Sequence, residues 1–240
     1  MVQGITTASL GVPDYVQALR QHQSYVDALK NCGLIVITMP PNSVFPDSCF
    51  IEDTALLTKR CAIIARLGVP ARQGEEADVR ELLTRYFDHI ESIEAPGIVE
   101  PGDIMMVHDH FYIGLSERTN ADGARQMIAL LEKYGYSGST VAMSEMLHLK
   151  TGLSYLENNT LVASGEFLCR PEFANFNLIA IDADESYAAN CIWVNGTVIV
   201  PAGFPNAARK IEAAGYPIIP IDVSEFQKLD GGLSCLSLRF

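Results

Sequence analysis

The chain has no long apolar run, little positive charge and no cysteine pairing pattern, and each absence excludes something. No apolar stretch approaches the roughly 20 residues that cross a bilayer, so no membrane span is expected. The opening residues, MVQGITTASLG, carry neither a basic segment nor a long apolar one, which predicts no secretory leader. Lys and Arg number 17 against 29 Asp and Glu, a net charge of −12. Nucleic acid and anionic membranes need basic patches, so neither is an expected partner, whereas a small cation is mildly favoured. The six cysteines (Cys32, Cys49, Cys61, Cys169, Cys191 and Cys235) include no C-x-x-C pair. A 240-residue chain that is 48% hydrophobic builds a core without staples, so a reduced, cytoplasmic protein is expected rather than a disulfide scaffold. The one close histidine pair, His108-Asp109-His110, lies between two strand-like runs and reads as a hairpin turn. No metal and no other cofactor is expected.

What is present repeats. From Asp103, "DIMMVHDHFYIGLSERTNADGARQMIALLEKYGY" reads strand, tight turn, strand, loop, amphipathic helix, Gly-Tyr. From Asn190, "NCIWVNGTVIVPAGFPNAARKIEAAGYPIIPIDVS" reads the same way and adds a strand. The helices show apolar residues at helical spacing: Met127, Leu130 and Leu131 in one, Ala208, Ile211 and Ala214 in the other. A third copy starts at Asp53, with a helix around 77–87 and a strand near 90–93. A fourth, poorer in helix, starts near Gly152. Asn195-Gly196 and Asn158-Asn159 suit tight hairpin turns. The unit is therefore ββαβ, repeated. A fifth is split between the chain ends: a helix over 14–30, a strand over 34–38, and a strand over 233–238. Pairing the two ends would close a ring and remove exposed sheet edges. The second strand of that unit would precede Gly4, so either the sequence starts late or this blade is one strand short.

Polar residues collect at the starts of the repeats or just before them: Glu52, Asp53, Glu100, Asp103, His148, Asn190 and Cys235. Each alone has a plain structural explanation. A cysteine in an apolar strand is more often core filler, and Glu52 and Asp53 read equally well as turn residues. The repeat register changes this, because like strand ends in a ring converge. One site would then hold carboxylates for a cation, a histidine for acid–base work, and a thiol nucleophile.

The segments "FPDSCFIEDT", "VEPGDIMMV", "YIGLSERTNADGARQM", "LHLKTGLSYL", "ESYAANCIWVNGTVIVPAGFP" and "DGGLSCLSLRF" closely resemble bacterial dimethylarginine dimethylaminohydrolases, within the guanidino-modifying (arginine deiminase) superfamily. The resemblance runs from about Gly4 to Phe240, with the motifs in family order. It implies an α/β fold: a five-bladed α/β propeller of ββαβ units with pseudo-fivefold symmetry, here missing its N-terminal strand, over residues 1–240 as one catalytic domain. It further implies Cys235 as nucleophile, His148 as general acid/base, and Glu100 as the carboxylate that orients it. By the same resemblance Asp53, with Glu52 beside it, grips the guanidinium, and Asp47 meets the substrate α-amino end. Arg72 and Arg118 clamp the α-carboxylate, and the backbone carbonyls of Ile5 and Leu229 face the amine.

These residue types suit the reaction. A guanidinium is a resonance-stabilised cation and a poor electrophile. Its plane must be fixed, which carboxylates do through paired, charge-assisted N–H bonds. It needs a strong nucleophile and a protonated leaving amine. A cation about 4 Å from Cys235, at an effective dielectric near 20, favours the thiolate by about 4 kcal/mol. Substrate binding is thus expected to help ionise the thiol. Two arginine clamps favour a free amino acid over an arginine within a protein. The expected activity is hydrolysis of N-methylated arginines to citrulline and a methylamine, by a monomer or homodimer acting on a small-molecule substrate. The alternatives are an arginine deiminase or related hydrolase, and, in another class, a catalytically silent binder of cationic amino acids.

Overall fold

A computed structural model describes residues 1–240. Along the chain, helix α1 (Tyr15–Asn31) precedes β1 (Ala55–Leu57), β2 (Ala62–Ile64), helix α2 (Glu76–Leu83) and β3 (Ile90–Ser92). Next come β4 (Ile104–Val107), β5 (His110–Leu115), helix α3 (Ala121–Lys133) and β6 (Ser137–Ala142). Then follow β7 (Leu153–Tyr155), β8 (Thr160–Ala163), β9 (Asn177–Ala180), β10 (Ile192–Val194), β11 (Thr197–Pro201), helix α4 (Pro205–Ala213), β12 (Ile218–Ile221) and helix α5 (Ser224–Gln227).

The twelve strands form four three-stranded sheets, each in chain order: β1-β2-β3, β4-β5-β6, β7-β8-β9 and β10-β11-β12. In every sheet the first two strands pair antiparallel and the third joins the second in parallel. This is the ββαβ unit expected from the repeats. Three copies cross over through a helix; the β7–β9 copy crosses through short 3₁₀ turns at Gly165–Cys169 and Pro171–Phe173. The hairpins turn where the sequence places residues tolerant of positive φ. Asn158 and Asn159 take φ of 50° and 56°, Asn195 and Gly196 take 45° and 89°, and His108 takes 54°. The His-Asp-His stretch is therefore the β4–β5 hairpin.

The chain divides into two compact units, one of residues 1–49 and 151–234, the other of residues 50–150 and 235–240. In the second, α3 packs Ala124, Met127 and Leu131 onto Phe111 and Ile113 of the middle strand, with Cys61 and Ile63 of β2 in the same cluster. In the first, Ala207 and Ile211 of α4 pack with Val198 and Val200 of β11. Also in the first, α1 starts at Asp14, whose carboxylate accepts from the N–H groups of Val16 and Gln17.

The expected strands of the fifth unit did not form. Residues 34–38 belong to no ladder, and within 233–238 the chain makes a 3₁₀ turn, Ser234–Leu236. The reason is pairing. In the four complete sheets the middle strand bonds to both neighbours. Residues 1–14 form no strand, so Leu34–Thr38 has β-forming side chains and no middle strand to bond. Ile35 is left 95% exposed.

Candidate active site

Three short 3₁₀ turns lead into first strands of the repeats: Ile51–Thr54 before β1, Pro101–Asp103 before β4, and Leu149–Thr151 before β7. Asp53 lies in the first, Glu100 caps the second, and His148 immediately precedes the third. These turns, at or just before the starts of three repeats, thus present one carboxylate, a second carboxylate and an imidazole. All three side chains are buried, and one polar atom of each lies within 4.8 Å of the others. Gly102 allows this closeness. A Cβ there would sit 2.9 Å from His148 Nδ1 and 3.0 Å from Asp53 Oδ1, tighter than contacts normally become.

His148 Nε2 lies 2.9 Å from Glu100 Oε2. Burial alone would lower the imidazole's pKa. The Glu100 hydrogen bond and the charges of Asp53, Asp103 and Glu100 outweigh burial and push it up to about 9. His148 is therefore an imidazolium at neutral pH, and its Nε2–H donates to Glu100. Asp53 takes Arg72 Nη1 on Oδ2 at 2.8 Å and the Gly102 N–H on Oδ1 at 3.1 Å. Burial works against its charge, but Arg72 and then His148 hold its carboxyl below the usual range.

Each arginine expected at the site is found on a carboxylate. Arg72 is 5% exposed. It donates to Asp53, to both oxygens of Glu75 through Nε, to Glu75 Oε2 through Nη2 at 2.9 Å, and to the Phe50 carbonyl. Burial would lower its pKa, yet Asp53 and Glu75 raise it. Arg118 is held more loosely, with Nη1 at 3.3 and 3.4 Å from the two Glu100 oxygens. Glu52 pairs with Lys150 Nζ at 2.5 Å, and Arg239 Nη2 lies 4.0 Å away. Cys235 belongs to the same compact unit as these residues, is half-buried and is in no disulfide.

The remaining expected contacts gather in the other unit. Asp47 is buried, and both its oxygens accept the Ile5 N–H, at 3.1 and 3.2 Å. A Cβ on Gly4 would meet Asp47 Oδ1 at 2.5 Å and Leu229 Cδ1 at 3.2 Å, so Asp47, Ile5 and Leu229 share one locality. The segment leading to Cys235 is fastened there as well. Tyr187 donates to the Gly231 carbonyl at 2.7 Å. Asn190 accepts the Ser234 N–H at 3.0 Å and donates to the Ser234 hydroxyl at 3.1 Å.

Sequence reading missed Glu75, Lys150, Ser116, Thr119 and Tyr187, and named Asp103 and Asn190 without giving either a task. Only the Arg72–Glu75 pair carried a signal, an Arg three residues before a Glu at a turn. As chemistry, the cluster offers two anionic acceptors for a planar N–H cation and a proton donor beside them. A metal ion would also match the spacing of Asp53, Glu100 and His148, but an imidazolium is a poor ligand, and both Asp53 oxygens are engaged.

Comparison with known proteins adds three relationships. Residues 15–169 match the family described as N,N dimethylarginine dimethylhydrolase, eukaryotic. The chain is 57% identical over 241 residues to an N(G),N(G)-dimethylarginine dimethylaminohydrolase of Pseudomonas aeruginosa, covering 100% of this chain and 95% of the relative. Two solved structures at 57% identity superpose with TM-scores of 0.98, covering 100% of this chain and 94% of theirs. One is the Pseudomonas aeruginosa enzyme with a cysteine changed to serine, complexed with citrulline. The other is a histidine-to-glycine dimethylarginine dimethylaminohydrolase as an adduct with S-methyl-L-thiocitrulline. The fold of this chain is theirs.

Proposed function

The chain belongs to the dimethylarginine dimethylaminohydrolase family, and from that premise we propose that it hydrolyses free N-methylated arginines, asymmetric dimethylarginine and monomethylarginine, to citrulline and a methylamine. The observation that carries this reading is the buried group of Asp53, Glu100 and the His148 imidazolium, with Cys235, a cysteine in no disulfide, in the same compact unit.

In this reading Asp53 and Glu100 hold the guanidinium plane by charge-assisted bonds. The Cys235 thiolate attacks the guanidinium carbon, and its lone pair forms the C–S bond. His148, already protonated, passes its proton to the departing methylamine nitrogen as the C–N bond breaks. The product is a covalent thiouronium. The now neutral His148 then takes a proton from water and the resulting hydroxide adds to the same carbon; the adduct expels the thiolate, its hydroxyl proton passes to solvent, and citrulline leaves with His148 again protonated. One imidazole thus serves as acid and then base. Asp47 with Ile5 and Leu229 is assigned to the amine end and Arg118 to the α-carboxylate, while Arg72, expected beside Arg118, holds Asp53 and Glu75 instead. Arg118 is the better placed, because its bonds to Glu100 are long and its side chain is 18% exposed against 6% for Arg72. Glu52 stands behind Asp53, its charge answered by Lys150.

No helix is long and apolar enough to cross a membrane. That none of the six cysteines is in a disulfide agrees with a cytoplasmic setting. Residues 1–240 act as one catalytic domain, as a monomer or homodimer. In support, each compact unit is assembled from two separate stretches of chain.

The test is to incubate the protein separately with asymmetric dimethylarginine, monomethylarginine and arginine, and to assay citrulline. Methylated substrates are expected to give citrulline. Cys235→Ser is expected to fold and bind substrate but form none. Citrulline from arginine alone would make the chain a deiminase. Binding without citrulline from any substrate would make it a binding protein.

A further inference from the structure

We propose that Asp103 is a positioning residue for the reaction, a buried hub that fixes the backbones carrying His148, Glu100 and Arg118. The inference rests on the roles proposed for those three residues.

Asp103 is 0% exposed and lies at the end of the turn that Glu100 caps. Its Oδ1 accepts the Leu149 N–H at 3.0 Å, which holds the peptide just after His148. Its Oδ2 accepts the Ser116 hydroxyl at 2.6 Å, and Ser116 Oγ in turn accepts the Arg118 N–H at 3.0 Å. The Thr119 hydroxyl favours the Asp103 charge, and Thr119 Oγ1 accepts the Glu100 N–H at 3.2 Å. One carboxylate therefore reaches, directly or through one hydroxyl, the main chain of all three functional positions. A donor hydroxyl needs an acceptor, and an ionised carboxylate offers about four acceptor sites where a carboxamide offers two. The negative charge is thus part of the device. It also faces the His148 imidazolium together with Asp53 and Glu100, while Arg72 and Arg118 are the cations on those two carboxylates. Burial works against that charge and pushes the Asp103 carboxyl up, so the hub is held at some cost to stability. A residue serving the fold alone does not need a buried charge. A neutral group bonding the same backbones would do.

The decisive variant is Asp103→Asn, which keeps the size and an acceptor for Leu149 but cannot accept both hydroxyls. We expect kcat to fall roughly 10- to 100-fold, as for a small misplacement of reacting groups. We also expect the His148 titration midpoint, followed by NMR of the labelled imidazole without substrate, to move down by about one pH unit. Thr119→Val removes one hydroxyl without touching the charge, and Thr119→Ser restores it. The first is expected to lose activity with little change in the His148 midpoint, and the second to recover most of it. If Asp103→Asn does not fold, the Thr119 pair carries the test. Folded Asp103→Asn with wild-type kcat and an unmoved His148 midpoint overturns the proposal, and so does Thr119→Val with wild-type activity. Absence of citrulline from the wild-type protein would instead refute the proposed function, and the substrate-free titration would still report on Asp103.

Discussion

Deleting the His148 charge should remove a pH dependence that can be sized from its surroundings. The imidazole is raised from its ordinary 6.5 to about 9 in the folded chain. A folded-state pKa above the unfolded value means that protons favour the folded state. The resulting stabilisation is complete below pH 6.5, declines from there to about pH 9, and is absent above it. A gap of about 2.5 pH units at roughly 1.4 kcal/mol per unit makes it about 3.5 kcal/mol in full, of which about 3 kcal/mol is lost between pH 6 and 9.5. The assay is denaturant unfolding of the wild type and of His148→Asn at pH 6, 7.5 and 9.5. Groups elsewhere titrate in both proteins and cancel in the difference. The wild-type advantage should shrink by about 3 kcal/mol between the lowest and highest pH. In a domain of this size that is roughly 6 to 12 °C in Tm. A difference that stays flat with pH, or an imidazole NMR midpoint at or below 6.5, would refute the claim that the carboxylates outweigh burial.

Gly232→Ala should disturb the nucleophile from a distance, because its Cβ would lie 2.5 Å from Cγ of Asn190, the residue that holds Ser234. A cost of about 1–3 kcal/mol is expected from overpacking, with kcat falling by up to about 100-fold while the circular dichroism spectrum stays native; unchanged kcat would contradict the fastening of Cys235 through Asn190. Gly123→Ala opposes two effects, since alanine favours the α3 helix by about 1 kcal/mol. Its Cβ, however, would lie 2.1 Å from the backbone carbonyl oxygen of Ile98, so net destabilisation is expected in thermal unfolding, and a raised Tm would show that this carbonyl can move.

Local chemistry made most of the repeat legible. Asn-Gly and Asn-Asn mark hairpins, and the chain does turn there with positive φ at each residue. Asp14 announces α1 and caps it. The repeat register placed Asp53, Glu100 and His148 at or just before the starts of repeats, and the structure puts one polar atom of each within 4.8 Å of the others. Residues 34–38 and 233–238 were misread for a physical reason. β-propensity describes side chains that fit a pleated surface, whereas a strand exists only when another backbone accepts its hydrogen bonds. The leucine and isoleucines of "LIVIT" carry no information about that partner. The arginines were similar. Their charge was visible, but their hold on Glu75, Asp53 and Glu100 depends on which chain segments meet, which no local pattern encodes.

Those ion pairs bear on how a guanidinium enters. Around His148 stand three carboxylates, Asp53, Glu100 and Asp103, and three cationic groups, Arg72, Arg118 and the imidazolium itself. Glu75, paired with Arg72, is a fourth carboxylate, so the cluster keeps one negative charge to receive a cation, but the Glu100 oxygens open to it only if a cation already there moves. Arg72 cannot readily yield, being buried with close bonds to Asp53 and Glu75. Arg118 can, because its contacts with Glu100 are 3.3 Å or longer and its side chain reaches solvent. A substrate guanidinium arriving at Glu100 competes with the Arg118 guanidinium for the same oxygens, and the arginine so released is free to meet the substrate's own carboxylate. In the proposed mechanism the exchange swaps like for like at Glu100, but it puts the positive charge on the carbon that Cys235 attacks. Ionisation of Cys235 would answer that charge, which ties thiolate formation to the arrival of the substrate rather than to the empty site.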